Sequence, residues 1–234
     1  MKIYGAGSLE DVRLSVELGS EVILTNPQGF DVYYKGEMTL EEITEALCKT
    51  AKGKKVFIQI HGKDADAIVK RGLELHKISP EQVGFKIIAN EKGFWAIKKL
   101  QEQGIDCIAT TLFSLSQASI AATVGAWGIC PFVSRAEVIQ MDPYKIISDI
   151  KEQYSKLEKA PQIIAVSLKS VSDCNKALAA GCDALGLRYP LIKQMMEHPL
   201  SDKAEALFAK NWKNVKGEDV SYMDYALHME GIAE

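Results

Sequence analysis

The chain has 234 residues, of which 47% are hydrophobic and 25% charged, with a formal net charge of −3. That length overlaps the lower end of the range for a single α/β-barrel domain with its own core, and the composition excludes disordered and fibrous classes. The near-neutral balance gives no basic field for nucleic acid, and no run of like charges forms a tail that would bind one.

In chain order, short apolar runs recur along the whole length: KIY at 2–4, EVIL at 21–24, VFIQI at 56–60 and FKII at 85–88, then IDCIAT at 105–110, WGICPFV at 127–133, QIIAVSL at 162–168 and DALGL at 183–187. Between them lie segments such as LEEITEALCKTA, DADAIVKRGLELH, GFWAIKKLQEQ and PYKIISDIKEQYSKL. Their apolar residues return every three or four positions, the spacing of one helix face. Eight strand–helix units with near-continuously apolar strands predict a parallel sheet covered by helices and closed into a (β/α)8 TIM barrel. An open doubly wound sheet is the competing arrangement. The segment Gly5-Ala6-Gly7-Ser8-Leu9-Glu10 is a weak dinucleotide fingerprint, because Glu10 stands where the third glycine belongs; it reads as turn chemistry after the first strand.

The chain continues well past the last strand, which predicts a single domain over 1–234 with a C-terminal helical arm over roughly 198–234. Leu207, Phe208 and Trp212 give that arm an apolar side, so it is expected to cover the barrel or to dock on a neighbouring copy, making a homo-oligomer. The opening MKIYGAGS reads as a strand and not as a signal peptide, and the apolar stretches are too short to span a membrane. A cytoplasmic protein without membrane partners is expected. The five cysteines lack CxxC spacing and the four histidines form no HxH or HExxH cluster, so buried thiols and no metal are expected.

Barrel enzymes place working residues at the C-terminal ends of their strands. The polar residues there are Thr25 and Asn26 after the second strand, Gln59 and His61 in the third, Lys86 in the fourth and Thr110 and Thr111 after the fifth. Ser134 and Arg135 follow the sixth, and Ser167 and Lys169 the seventh. Lys86 is the most informative, since Phe85, Ile87 and Ile88 surround it in a strand buried on both sides. Burial lowers a lysine's pKa and yields the neutral amine that attacks a carbonyl; the bland alternative is a lysine snorkelling from a strand end. Arg135, Ser167 and Lys169 fall on adjacent strand ends and together offer the charge and donors that a phosphate monoester requires.

These segments give the chain a specific resemblance. LTNP (24–27), VFIQI (56–60), GFKII (84–88), GID (104–106) with AT (109–110), CPFVSR (130–135), AVSLKS (165–170) and AGCDALGLRYPLIKQMM (180–196) stand in one order over nearly the whole sequence. In that order it resembles the small transaldolases and fructose-6-phosphate aldolases, which are class I Schiff-base enzymes. The resemblance implies Lys86 as imine nucleophile, Asn26 and Thr110 as contacts to a phosphorylated ketose, and Arg135 and Ser167 as phosphate ligands, with Lys169 a further rim candidate; Thr25 and Phe132, at the same strand ends, are further candidates for substrate contact. It also implies no cofactor or metal and a ring, pentameric or decameric, joined through the C-terminal helix.

Three departures from the family pattern stand out, the second of them a mixed pair of residues. Ala6 stands at the end of the first strand where the family has an aspartate that moves protons. Gln59 is aldolase-like where transaldolases have glutamate, whereas Phe132 is transaldolase-like where aldolases have tyrosine. Ile88 replaces the usual proline. His61, two residues beyond Gln59, therefore faces the same side of the strand and is the candidate proton carrier, against the plainer reading of a histidine bonded to backbone. Cleavage or transfer of a dihydroxyacetone unit is the leading expectation. The alternatives are an altered carbon–carbon lyase using His61 and a catalytically silent sugar-phosphate-binding protein.

Overall fold

A computed structural model describes residues 2–212, 214 and 215. The elements run β1 (Lys2–Ala6), α1 (Leu9–Glu17), β2 (Val22–Leu24), α2 (Pro27–Tyr34), α3 (Leu40–Thr50), β3 (Lys55–Gln59), α4 (Ala65–His76), β4 (Val83–Ile88), α5 (Glu91–Gln101) and β5 (Cys107–Leu112). They continue α6 (Leu115–Thr123), β6 (Gly128–Pro131), α7 (Val133–Val138), α8 (Pro143–Tyr154), β7 (Gln162–Ala165), α9 (Val171–Ala179), β8 (Ala184–Arg188), α10 (Tyr189–Met196) and α11 (Pro199–Trp212). All eight strands are parallel and β8 pairs with β1, so the sheet is a closed barrel and the doubly wound alternative is set aside.

The local chemistry explains the alternation. Ser8, Asn26, Thr39, Asp64, Asn90, Ser114, Asp142 and Ser170 each cap a helix, their side-chain oxygens accepting a backbone N–H of the first turn. Each such cap contributes about 1 kcal/mol and fixes where a helix begins after a strand or loop. The helices then lay one apolar face on the sheet; in α3 it is Ile43, Thr44, Leu47 and Cys48 that are buried. Two predicted strands end early. Phe132 already occupies the N-cap position of α7, and Ser167 turns the chain with φ of 61°, so β6 and β7 stop short of the apolar runs that suggested them.

Strand alternation sends every second residue into the barrel. Tyr4, Val22, Leu24, Phe57, Ile108, Cys130, Ile164, Val166 and Ala184 fill the lumen, with Ala6, Trp127 and Phe132 against them. Phe57 stacks near Trp127 at 4.8 Å between ring centroids. Gly84 must be glycine here, because a Cβ would lie 2.7 Å from both the Phe57 ring and the Asp106 carbonyl.

The chain divides into two units, Met1–Ile192 and Lys193–Glu234. The barrel is the first. In the second, α11 bears the expected Leu207, Phe208 and Trp212, all exposed; residues 213 and 216–234 of the expected arm lie outside the described residues. Among the described residues no helix is long and apolar enough to cross a membrane.

Candidate active site

Lys86 lies in β4 opposite Gln59 of β3 and Ile108 of β5. It shares the luminal face with Gly84 and is 3% exposed. Its Nζ donates to the Thr25 carbonyl at 3.2 Å and lies 5.8 Å from the centre of the Phe132 ring. Among the described residues no carboxylate pairs with it. Burial pushes its pKa down, and the charge of Arg135 acts in the same direction, while Cys130 acts against them. The amine thus sits where its neutral, nucleophilic form is favoured.

Thr25 holds this position from two sides. Its hydroxyl donates to the Phe57 carbonyl at 3.1 Å and accepts the Gln59 N–H at 2.9 Å, tying the end of β2 to β3 and aiming the Thr25 carbonyl at the lysine. Gln59 is buried at the end of β3, and its side-chain Nε2 is 3.5 Å from Nε2 of His61. His61 is exposed at the mouth. Its pKa is lowered, first by desolvation of the charged ring and then by the charge of Lys92, and both favour the neutral imidazole.

Thr110 of β5 faces the lumen beside Cys130. Its hydroxyl is buried without a hydrogen-bond partner among the described residues, as is that of Thr111. The Cys130 thiol is pushed up to about 11 by burial, with the Lys86 charge acting against that rise. Thr111 has φ of 57°, in the left-handed region that a β-branched residue rarely enters, and the β5–β6 register shifts there. Ser167 also has positive φ. Non-glycine residues held this way cost on the order of 1–3 kcal/mol each and concentrate at functional sites.

On the rim, Arg135 on α7 lies over the Phe132 ring, 5.1 Å from guanidinium carbon to ring centre. The Ser134 N–H donates to the Ser167 carbonyl at 3.1 Å and its hydroxyl bonds the same oxygen, stitching the Arg135 helix to the end of β7. Arg135 and Ser167 are thereby brought to one edge. Lys169 is exposed, and its backbone N–H is taken by the Asp173 carboxylate. Asn26 is exposed and caps α2, accepting from the Gly29 N–H at 2.7 Å, so its oxygen already has a structural task. Ala6 ends β1 with only a methyl group, and among the described residues no group of His, Cys, Asp and Glu is arranged to hold a metal ion.

The family model described as transaldolase/fructose-6-phosphate aldolase matches residues 31–234. The chain belongs to that family. It is 32% identical over 209 residues to a probable transaldolase of Leptospira biflexa, covering 89% of this chain and 95% of the relative. A probable transaldolase of Dictyoglomus turgidum is 31% identical over 217 residues, covering 92% and 99%. Solved structures share the fold alone. A putative phosphonomutase from Burkholderia cenocepacia superposes with a TM-score of 0.60 at 11% identity, covering 90% of this chain and 93% of that one. The thiamine phosphate pyrophosphorylase of Pyrococcus furiosus gives 0.54 at 15%, covering 80% and 84%.

The mouth of this barrel also holds a residue that sequence reasoning passed over. Arg188 ends β8 and donates to the Tyr33 hydroxyl at 3.0 Å. The signal was present in the alternation of Ala184, Gly186 and Arg188 on one face of the last strand. Its importance depends on the β8–β1 closure, which joins residues from opposite ends of the sequence.

Proposed function

We propose that the protein is a Schiff-base aldolase or transaldolase that acts on a phosphorylated ketose through Lys86. The observation that carries this reading is an enclosed lysine whose Nζ meets a neutral carbonyl and, among the described residues, no carboxylate. A purely structural lysine in such a place would be paired, because an unpaired buried ammonium is strongly disfavoured. A neutral amine has no such penalty.

In the proposed reaction the amine adds to the C2 carbonyl and one water leaves, giving an iminium. Removal of the C4 hydroxyl proton lets the C3–C4 bonding pair move into the iminium, releasing an aldehyde and leaving an enamine on Lys86. Protonation and hydrolysis return free dihydroxyacetone; addition to a second aldehyde completes transfer. Arg135 and Ser167 would hold the phosphate end, with Lys169 as an outer charge. Thr110 would meet a ketose hydroxyl.

Proton movement falls to Gln59 and His61. The Gln59 amide would hold a water but does not titrate, whereas a neutral His61 imidazole would accept and return a proton. Its contact with Gln59 at 3.5 Å supports a shared role.

Borohydride reduction in the presence of fructose 6-phosphate or dihydroxyacetone tests the reading, with intact mass and peptide mapping. A reduced adduct on Lys86 is expected, and none on Lys86→Met; absence of any adduct with either ketose discards the imine mechanism. With His61 lowered below its ordinary 6.5, turnover should fall as pH drops through that lower value. His61→Ala should be slower by roughly 10²-fold or more and lack this acid limb. An unchanged profile removes His61 from the mechanism.

A further inference from the structure

Arg188 occupies a defined place on the mouth. Along β8, Ala184 belongs to the luminal core, and a Cβ on Gly186 would meet the Leu24 and Val166 side chains, both luminal. Alternation therefore brings Arg188 out on the luminal side as well. In the β8–β1 register it lies opposite Ala6. Its Nη1 reaches Tyr33 on α2, the helix that follows β2. Because β1 stands between β8 and β2 in the barrel, the Arg188–Tyr33 bond links the end of β8 to the helix after β2 across β1.

No ion pair fixes it there among the described residues. Ala6 has no charge to offer, and the nearby Asp11 carboxylate is taken up by the Ser8 N–H and hydroxyl in the cap of α1. Gly7 gives no side chain either, since a Cβ there would lie 2.4 Å from that carboxylate. One of the five N–H donors of the guanidinium is used by Tyr33, which leaves a two-donor edge suited to a carboxylate or phosphoryl group. Arg135 follows β6 and lies over the Phe132 ring, whereas Arg188 ends β8 opposite Ala6, so the two arginines belong to different strand ends of the barrel.

We propose that Arg188, opposite Ala6 and held by Tyr33, is a second anion subsite, and that the donor taken by Lys86 carries a carboxylate or phosphoryl group on its carbonyl-side carbon. This rests on the imine reading above and narrows its substrate to ketoses or oxo acids that are anionic at that end. It also gives a reason for Ala6: a carboxylate at that position would pair with Arg188 and occupy the subsite.

The test is borohydride trapping on the full chain with dihydroxyacetone, dihydroxyacetone phosphate and hydroxypyruvate, reading the donor concentration that half-saturates the Lys86 adduct. An anionic donor should half-saturate at about tenfold lower concentration than dihydroxyacetone, the effect of one charge-assisted contact. Comparison of the phosphate with hydroxypyruvate tells a phosphoryl from a carboxylate subsite. Arg188→Gln should erase that ratio and Tyr33→Phe should reduce it. No preference for an anionic donor, or one that Arg188→Gln leaves intact while Arg135→Gln removes it, overturns the subsite. If none of the three donors is trapped, the imine reading itself fails, an outcome distinct from trapping without preference.

Discussion

Two layers of the same barrel, a pair of residues apart along each strand, obey different rules. In the lower layer Tyr4, Phe57 and Trp127 pack ring against ring, and the one hydroxyl among them, on Tyr4, bonds to Gln162. In the upper layer, among the described residues, Lys86 has no counter-ion and the Thr110 hydroxyl no partner, and Thr111 and Ser167 hold left-handed backbone angles at the strand ends. The lower layer is satisfied internally and gives stability. The upper layer keeps its polar valences open, which is a cost in folding and an asset in binding.

The largest effect should come from breaking the lower layer. Phe57 is fully buried and fills the space in front of Gly84. Phe57→Ala should lower the unfolding free energy by about 3–5 kcal/mol in urea titration. A loss under about 1 kcal/mol would mean that the aromatic layer does not hold the barrel.

Changing the upper layer should go the other way. Folding depresses the Lys86 pKa below the ordinary 10.5. Between the folded value and 10.5 the unfolded chain holds a proton that the folded chain lacks, so stability rises with pH across that window and is lower at neutral pH. The slope approaches about 1.4 kcal/mol per pH unit for one such proton. Lys86→Met should remove this slope and be the more stable protein at neutral pH, although it forms no imine. Parallel pH dependences for the two proteins, measured by urea unfolding, would show that Lys86 is charged in the folded state.

How far each layer could be read from sequence follows from the same difference. The lower layer is written in apolar periodicity, so the eight runs located every strand, although Phe132 and Ser167 end β6 and β7 sooner than apolarity suggested. Lys86 was legible because a charge in an apolar run is conspicuous. Arg188 was not, because a charge at the end of a run resembles any solvated residue until β8 is known to close on β1. Nor does sequence tell that the oxygen of Asn26 caps α2, or that Thr111 sits at positive φ, since both depend on how the chain leaves a strand.

The smallest effect separates two threonines of the site that look alike in sequence. Thr25 has two hydrogen bonds through its hydroxyl, and Thr25→Val would leave the buried Gln59 N–H without an acceptor. That should cost about 1–3 kcal/mol and let the lysine's carbonyl partner drift. Thr110→Val gives up no internal bond, because its hydroxyl has none among the described residues. The change is nearly isosteric, so stability should stay within about 0.5 kcal/mol of the parent or rise slightly. Its effect should appear instead as a higher ketose concentration for half-maximal trapping. Equal destabilisation by the two valines would show that the Thr110 hydroxyl is bonded within the folded protein and not kept open for a ligand.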